Sequence, residues 1–142
     1  MKLTQIQQEW AEDAPIDITE IALAAADIPR LHSKYQILLT NENIWISKLQ
    51  ETLKTRSREI RKEIESGGFD SDTIKGDYLE MKNRITLKQD IEALVSQNAE
   101  IMKLQSQIVL SKEKIHFLES VIKILMQRTY QIKNIIEAMK EY

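Results

Sequence analysis

The chain is expected to be all-α. Three observations carry that: only 3 Gly and 2 Pro in 142 residues, a composition dominated by Glu, Lys, Gln, Leu, Ile and Ala, and a heptad repeat through the C-terminal half. Few turn formers imply few, long elements. The β-rich runs bounded by Gly or Asn that mark strands are missing.

Leu3, Ile6 and Trp10 are spaced for one short amphipathic helix, which Pro15 ends. Asp17 followed by Glu20 has capping-box spacing for the next helix, with Ile16 as a hydrophobic staple. Pro29 is expected to interrupt or kink that helix, with Asp27 capping a restart. From about Arg30 a helical pattern runs to Glu65, and Trp45, Ile46, Leu49, Leu53, Ile60 and Ile64 form one apolar stripe. Ser66-Gly67-Gly68 is the clearest stop signal. The organisation predicted is therefore an N-terminal part over 1–65, a loop over 66–76 and a long helical tract over 77–142.

With Leu94 at position a, the a positions are Leu94, Ile101, Ile108, Ile115, Ile122, Thr129 and Ile136. The d positions are Gln97, Leu104, Ser111, Leu118, Leu125, Ile132 and Met139. Such persistence predicts a coiled-coil-like seam, with Ile101, Leu104, Ile108, Ile115, Leu118, Ile122, Leu125, Ile132 and Ile136 as its oligomerisation residues. Leu110, Phe117 and Ile124 at position c, with Val121 and Ile135 at g, widen the apolar face beyond a two-stranded seam. A helix that apolar needs neighbours on two sides. They are either the chain's own N-terminal helices plus another subunit, or two subunits in a head-to-tail ring.

Charge is uneven. The chain is −2 overall, yet between Lys48 and Lys62 six cations face two carboxylates, a local net of +4. Residues 1–29 hold one cation and six carboxylates. With Leu53 at 0° and about 100° per residue, Lys54, Arg58, Arg61 and Lys62 fall on one face beside the apolar stripe, and Arg56 falls on the opposite flank. A positive island on an anionic body suits phosphate binding; the plainer alternative is a solvated helix face. Glu51 and Glu65 point into the basic arc and trim it or pair with it. Trp45 and Tyr35 are able to stack on bases, though both also fit the edge of a core.

Catalytic chemistry finds no footing in these residues. There is no cysteine, His32 and His116 lack metal-ligand partners at helical spacing, and no phosphate-loop, dinucleotide or nucleophile-elbow pattern occurs. No enzyme activity, metal or cofactor is expected. No apolar run approaches the roughly 18 residues that cross a bilayer, so the expectation is a soluble protein. A membrane-surface role is weaker, because the basic face is trimmed by acids and adjoins a stripe suited to core packing.

Several short motifs resemble the UvsY recombination mediators of large tailed bacteriophages. They are Ile16-Asp17-Ile18-Thr19, the Ala24 to Ala26 run, Leu31-His32-Ser33-Lys34-Tyr35, Leu53-Lys54-Thr55-Arg56, and Ser66-Gly67. The resemblance implies a small helical protein in the host cytoplasm, assembled as a closed ring of six or seven copies, that binds single-stranded DNA. Its partners would be a phage recombinase and the single-strand-binding protein whose covered strands it helps load, without catalysis. Family DNA contacts match Lys54 and Arg56. Ile64-Glu65 replaces an aromatic pair before Ser-Gly, and the quartet lies farther from Ser66 than in the family, so Arg58 and Arg61 also stand as counterparts. The DNA-binding set is thus Lys54, Arg56, Arg58, Arg61 and Lys62. The competing function is a coiled-coil assembly scaffold or chaperone that binds no DNA.

Overall fold

The computed structural model describes residues 1–68 and 88–140, and among the described residues there is no strand. The chain is all-α. Helix α1 spans Leu3–Asp13, a 3-10 turn spans Ile18–Glu20, and α2 spans Ile21–Glu63. A π-helical turn, Ile64–Gly68, follows; then come α3 over 88–97 and α4, Ala99–Lys140. Of the predicted loop over 66–76, residues 66–68 instead belong to this π-helical turn; residues 69–76 and the start of the tract at 77 lie outside the described residues.

Local chemistry accounts for the boundaries. The Gln5 side chain reaches back to accept from the Lys2 N–H at 2.9 Å, satisfying a donor that the first turn leaves unpaired. Pro15 follows the last turn of α1. Asp17 caps the 3-10 turn by accepting from the Thr19 N–H at 3.0 Å, and its bonds to Thr19 hold its carboxyl below the usual range. The expected interruption at Pro29 is corrected: α2 continues through it. Proline removes the donor to the carbonyl four residues back, but Ala25 is exposed and water can serve that carbonyl. Asp27 does not cap a restart; it holds Arg30 at 2.5 and 2.7 Å.

A second correction concerns the C-terminal tract. Asn98 stands between α3 and α4, its Oδ1 accepting from the Glu100 N–H at 2.9 Å and the Ile101 N–H at 3.3 Å. Asparagine is a preferred cap because its short amide replaces the missing intrahelical acceptor. The heptad reads through a helix break.

The chain divides into two compact units, Met1–Ile46 with Leu110–Tyr142, and Ser47–Val109. In the first, Ile6 of α1 packs with Leu31, Tyr35 and Leu39 of α2 and with Leu118, Val121, Ile122 and Leu125 of α4. In the second, Ile60 of α2 packs with Ile91 and Val95 of α3 and Ile101 of α4, flanked by Leu53 and Ile64. Each fully buried side chain of this size contributes about 1.5–3 kcal/mol before ordering entropy is subtracted.

Most of the predicted seam is therefore covered within the chain. Ile101, Ile108, Leu118, Ile122, Leu125 and Ile132 are buried, Leu104 and Ile115 half-buried, and Ile136 exposed. The added c positions differ: Leu110 is 51% exposed and Ile124 40%, with Phe117 half-buried between them in sequence.

Candidate nucleic-acid interface

The basic segment forms the last three turns of α2 because its apolar residues recur at helical spacing and bury against α3 and α4. Leu53, Ile60 and Ile64 lie within about 40° of one another on the helix, and they pack in the second core. That contact sets which way every neighbouring cation faces.

Lys54, Arg58 and Lys62 follow each other at intervals of four residues, on the side away from the core. All three are exposed, and among the described residues none forms an ion pair. At 1.5 Å rise per residue they make a row with steps of about 6 Å along the helix axis. Ammonium and guanidinium groups so placed keep their donors for an outside acceptor.

The two remaining arginines flank the buried stripe and are engaged. Arg56 donates from Nε to Glu100 Oε1 at 2.9 Å and from Nη2 to Glu100 Oε2 at 2.8 Å, a two-bond fork, while Nη1 holds Glu59. Bonds to Glu100 first, and Glu59 second, raise the affinity of Arg56 for its proton further. The same fork holds the Glu100 carboxyl below its usual range. Arg61 donates from Nη2 to Glu92 at 2.9 Å, with Nε 2.8 Å from the other carboxylate oxygen. Exposed pairs of this kind add little to stability, because water and salt screen them; the forked one has the better geometry.

Helical spacing groups Arg61 with Lys54, Arg58 and Lys62, and leaves Arg56 on the opposite flank. The structure pairs both arginines with carboxylates of α3 and α4. It also places Glu51 and Glu65 as exposed side chains with no ion pair among the described residues. Glu92 and Glu100 are the residues that spacing along α2 does not find. Asn98 is a legible cap, and it puts Glu100 in the first turn of a new helix; the pairing itself has no local signal.

Of the two aromatic candidates, Tyr35 is fully buried, donates to Asp13 at 2.8 Å and stands edge-on to Trp10 at 5.4 Å, so it cannot stack on a base. Trp45 is 48% exposed.

The acidic N-terminal stretch is partly engaged. Lys34 lies 2.5 Å from Glu9 and 2.7 Å from Asp13. Burial pushes the Asp13 carboxyl up, but bonds from Lys34 and Tyr35 and the Lys34 charge outweigh it and hold it below its usual range. Lys34 is raised in turn, since the same two carboxylates outweigh its burial. Arg128, only 5% exposed, donates to the carbonyls of Asp13 and Ala14 at 3.4 and 2.5 Å, over the Trp10 ring at 5.6 Å. A cation at the C-terminal end of α1 also meets the negative pole of its dipole.

Among the described residues no group of acids and histidines is arranged to hold a metal ion, and no helix is long and apolar enough to cross a membrane. The model of one protein family, described as recombination, repair and ssDNA binding protein UvsY, matches residues 9–141. No curated protein and no solved structure matches the chain.

Proposed function

The chain belongs to the UvsY family of recombination, repair and ssDNA-binding proteins, and from that premise we propose that it is a mediator that binds single-stranded DNA along the exposed row Lys54, Arg58 and Lys62. The row is the single observation that supports the reading most. It offers three cations with no ion pair among the described residues on one helix face, and the flanking arginines Arg56 and Arg61 extend the set. With no base-reading apparatus beside it, such a row addresses the phosphate backbone and is indifferent to sequence.

One row on one subunit is weak, since isolated non-specific sites bind at about 10⁻⁴–10⁻⁶ M at physiological salt. Repetition offsets this, because linked sites gain about 10²–10⁴ in avidity. The exposed apolar stripe Leu110 and Ile124, with Phe117, supports assembly of several copies. A closed ring of six or seven is the form proposed. Within it, DNA would lie along successive rows while the recombinase is loaded onto strands covered by single-strand-binding protein, without a catalytic step.

The test is fluorescence anisotropy with a labelled oligonucleotide. Changing Lys54, Arg58 and Lys62 together to Ala is expected to lower affinity about 10- to 100-fold. It should also reduce the log-log salt slope by about 2, from about 0.7 per lost phosphate contact. Unchanged affinity and slope would refute the row as the DNA site.

A further inference from the structure

Arg56 and Arg61 are the cations of the strip best suited to phosphate, because a guanidinium fork matches a phosphate as it matches a carboxylate. They are also the two already engaged. Glu100 takes two donors of Arg56, Glu59 takes a third, and Glu92 lies against Nη2 and Nε of Arg61. None of these three carboxylates is buried, the Glu59 and Glu100 side chains being 51% exposed and Glu92 53%. The carboxylate of each pair is therefore within reach of solvent, and the two guanidinium groups are half-exposed beside it. The outer row on the same helix stretch is exposed and has no ion pair among the described residues.

Resting on the DNA-binding reading above, we propose that Glu100, Glu59 and Glu92 act as built-in phosphate stand-ins, so that single-stranded DNA engages the strip in two stages. The outer row takes the backbone first. Phosphates held there keep the rest of the same strand at high effective concentration around the helix, where it reaches Arg61 beside the row and Arg56 on the opposite flank and exchanges with the carboxylates. A small free anion lacks the first stage and does not displace them. The carboxylates thus set a threshold favouring a polyanion over single anions, and they hold two contacts in reserve.

The variants Glu100→Gln and Glu92→Gln keep side-chain shape and remove the competing charge. Each is expected to tighten binding of a labelled oligonucleotide about 3- to 10-fold and to steepen the log-log salt slope by about 0.7, one added phosphate contact. A general field effect of losing a negative charge would survive without the arginine; exchange would not. In an Arg56→Ala background, then, Glu100→Gln should give no gain, and in an Arg61→Ala background neither should Glu92→Gln. A gain that persists in those backgrounds, or no gain in the first place, overturns the proposal. If Glu100→Gln lowers helicity by circular dichroism, Glu59→Gln probes the same guanidinium from within α2. The two readings fail separately: retained binding in the Lys54, Arg58 and Lys62 triple variant removes the DNA row, whereas arginine-independent gains remove only the exchange.

Discussion

Arg128 and Arg58 are the same residue type on two long helices, and they face opposite circumstances. In the first compact unit Arg128 is buried against the carbonyls that end α1, and Lys34 bridges Glu9 and Asp13. In the second, Arg58 stands exposed with Lys54 and Lys62, and no carboxylate among the described residues meets any of them. Charge in the first unit holds a short helix in place; charge in the outer row of the second holds no carboxylate among the described residues. A buried cation must be matched because the interior penalises an unmatched one, while a solvated cation at the surface is free to await a partner. Arg56 and Arg61 stand between these extremes, paired but exposed.

The contrast breaks most visibly at Arg128. Replacing it with Met keeps bulk but leaves the Asp13 and Ala14 carbonyls without their donor, and stability is expected to fall by about 1–3 kcal/mol. Chemical denaturation followed by far-UV circular dichroism measures this. Affinity for single-stranded DNA should stay within about twofold of the parent, the reverse of the expectation for the Lys54, Arg58 and Lys62 triple variant. Loss of DNA binding in Arg128→Met, at a temperature where it is folded, would erase the distinction between the units.

Smaller is the effect of Asn98→Ala. Losing a helix cap costs about 1 kcal/mol, and here it falls on the junction that carries Glu92 on one side and Glu100 on the other. Hydrogen exchange at residues 99–101 should quicken selectively. No change there would mean that packing of Ile101 alone sets the start of α4.

Smallest is the pH response of the first unit. Asp13 has its folded pKa below the ordinary 3.8, so its contribution is present above about pH 4 and is lost as pH falls through the depressed value. Lys34 has its folded pKa above the ordinary 10.5, so its contribution is present below that pH and is lost as pH rises through the raised value. Stability should therefore hold a plateau between about pH 4 and 10.5. In Asp13→Asn the acid shoulder should shrink. An unaltered acid limb in denaturant melts at pH 3 would show that Asp13 is not what couples this unit to protons.

Several features are legible in the order of residues alone. Gly and Pro scarcity points to long helices, Pro15 marks the end of α1, and the stripe through Leu53, Ile60 and Ile64 identifies the face of α2 that packs. Two local signals are outweighed. Pro29 lies inside α2, where Ala25, whose carbonyl it frees, is an exposed residue, and the unbroken heptad hides Asn98 because a seven-residue count does not register a cap.

The sequence by itself determined that this chain is helical, where α1 ends and where α2 begins and ends, and that positive charge concentrates on one stretch of α2. These depend on interactions within a turn or two, and such interactions are written in neighbouring residues. Only the tertiary structure decided that the apolar seam of α4 is largely covered by the chain itself, and that Arg56 meets Glu100 across 44 residues and Arg61 meets Glu92 across 31. It likewise decided that Lys54, Arg58 and Lys62 meet no carboxylate among the described residues. Partners so far apart in the chain are chosen by how helices pack, because a carboxylate pairs with whichever cation the buried stripes bring within reach.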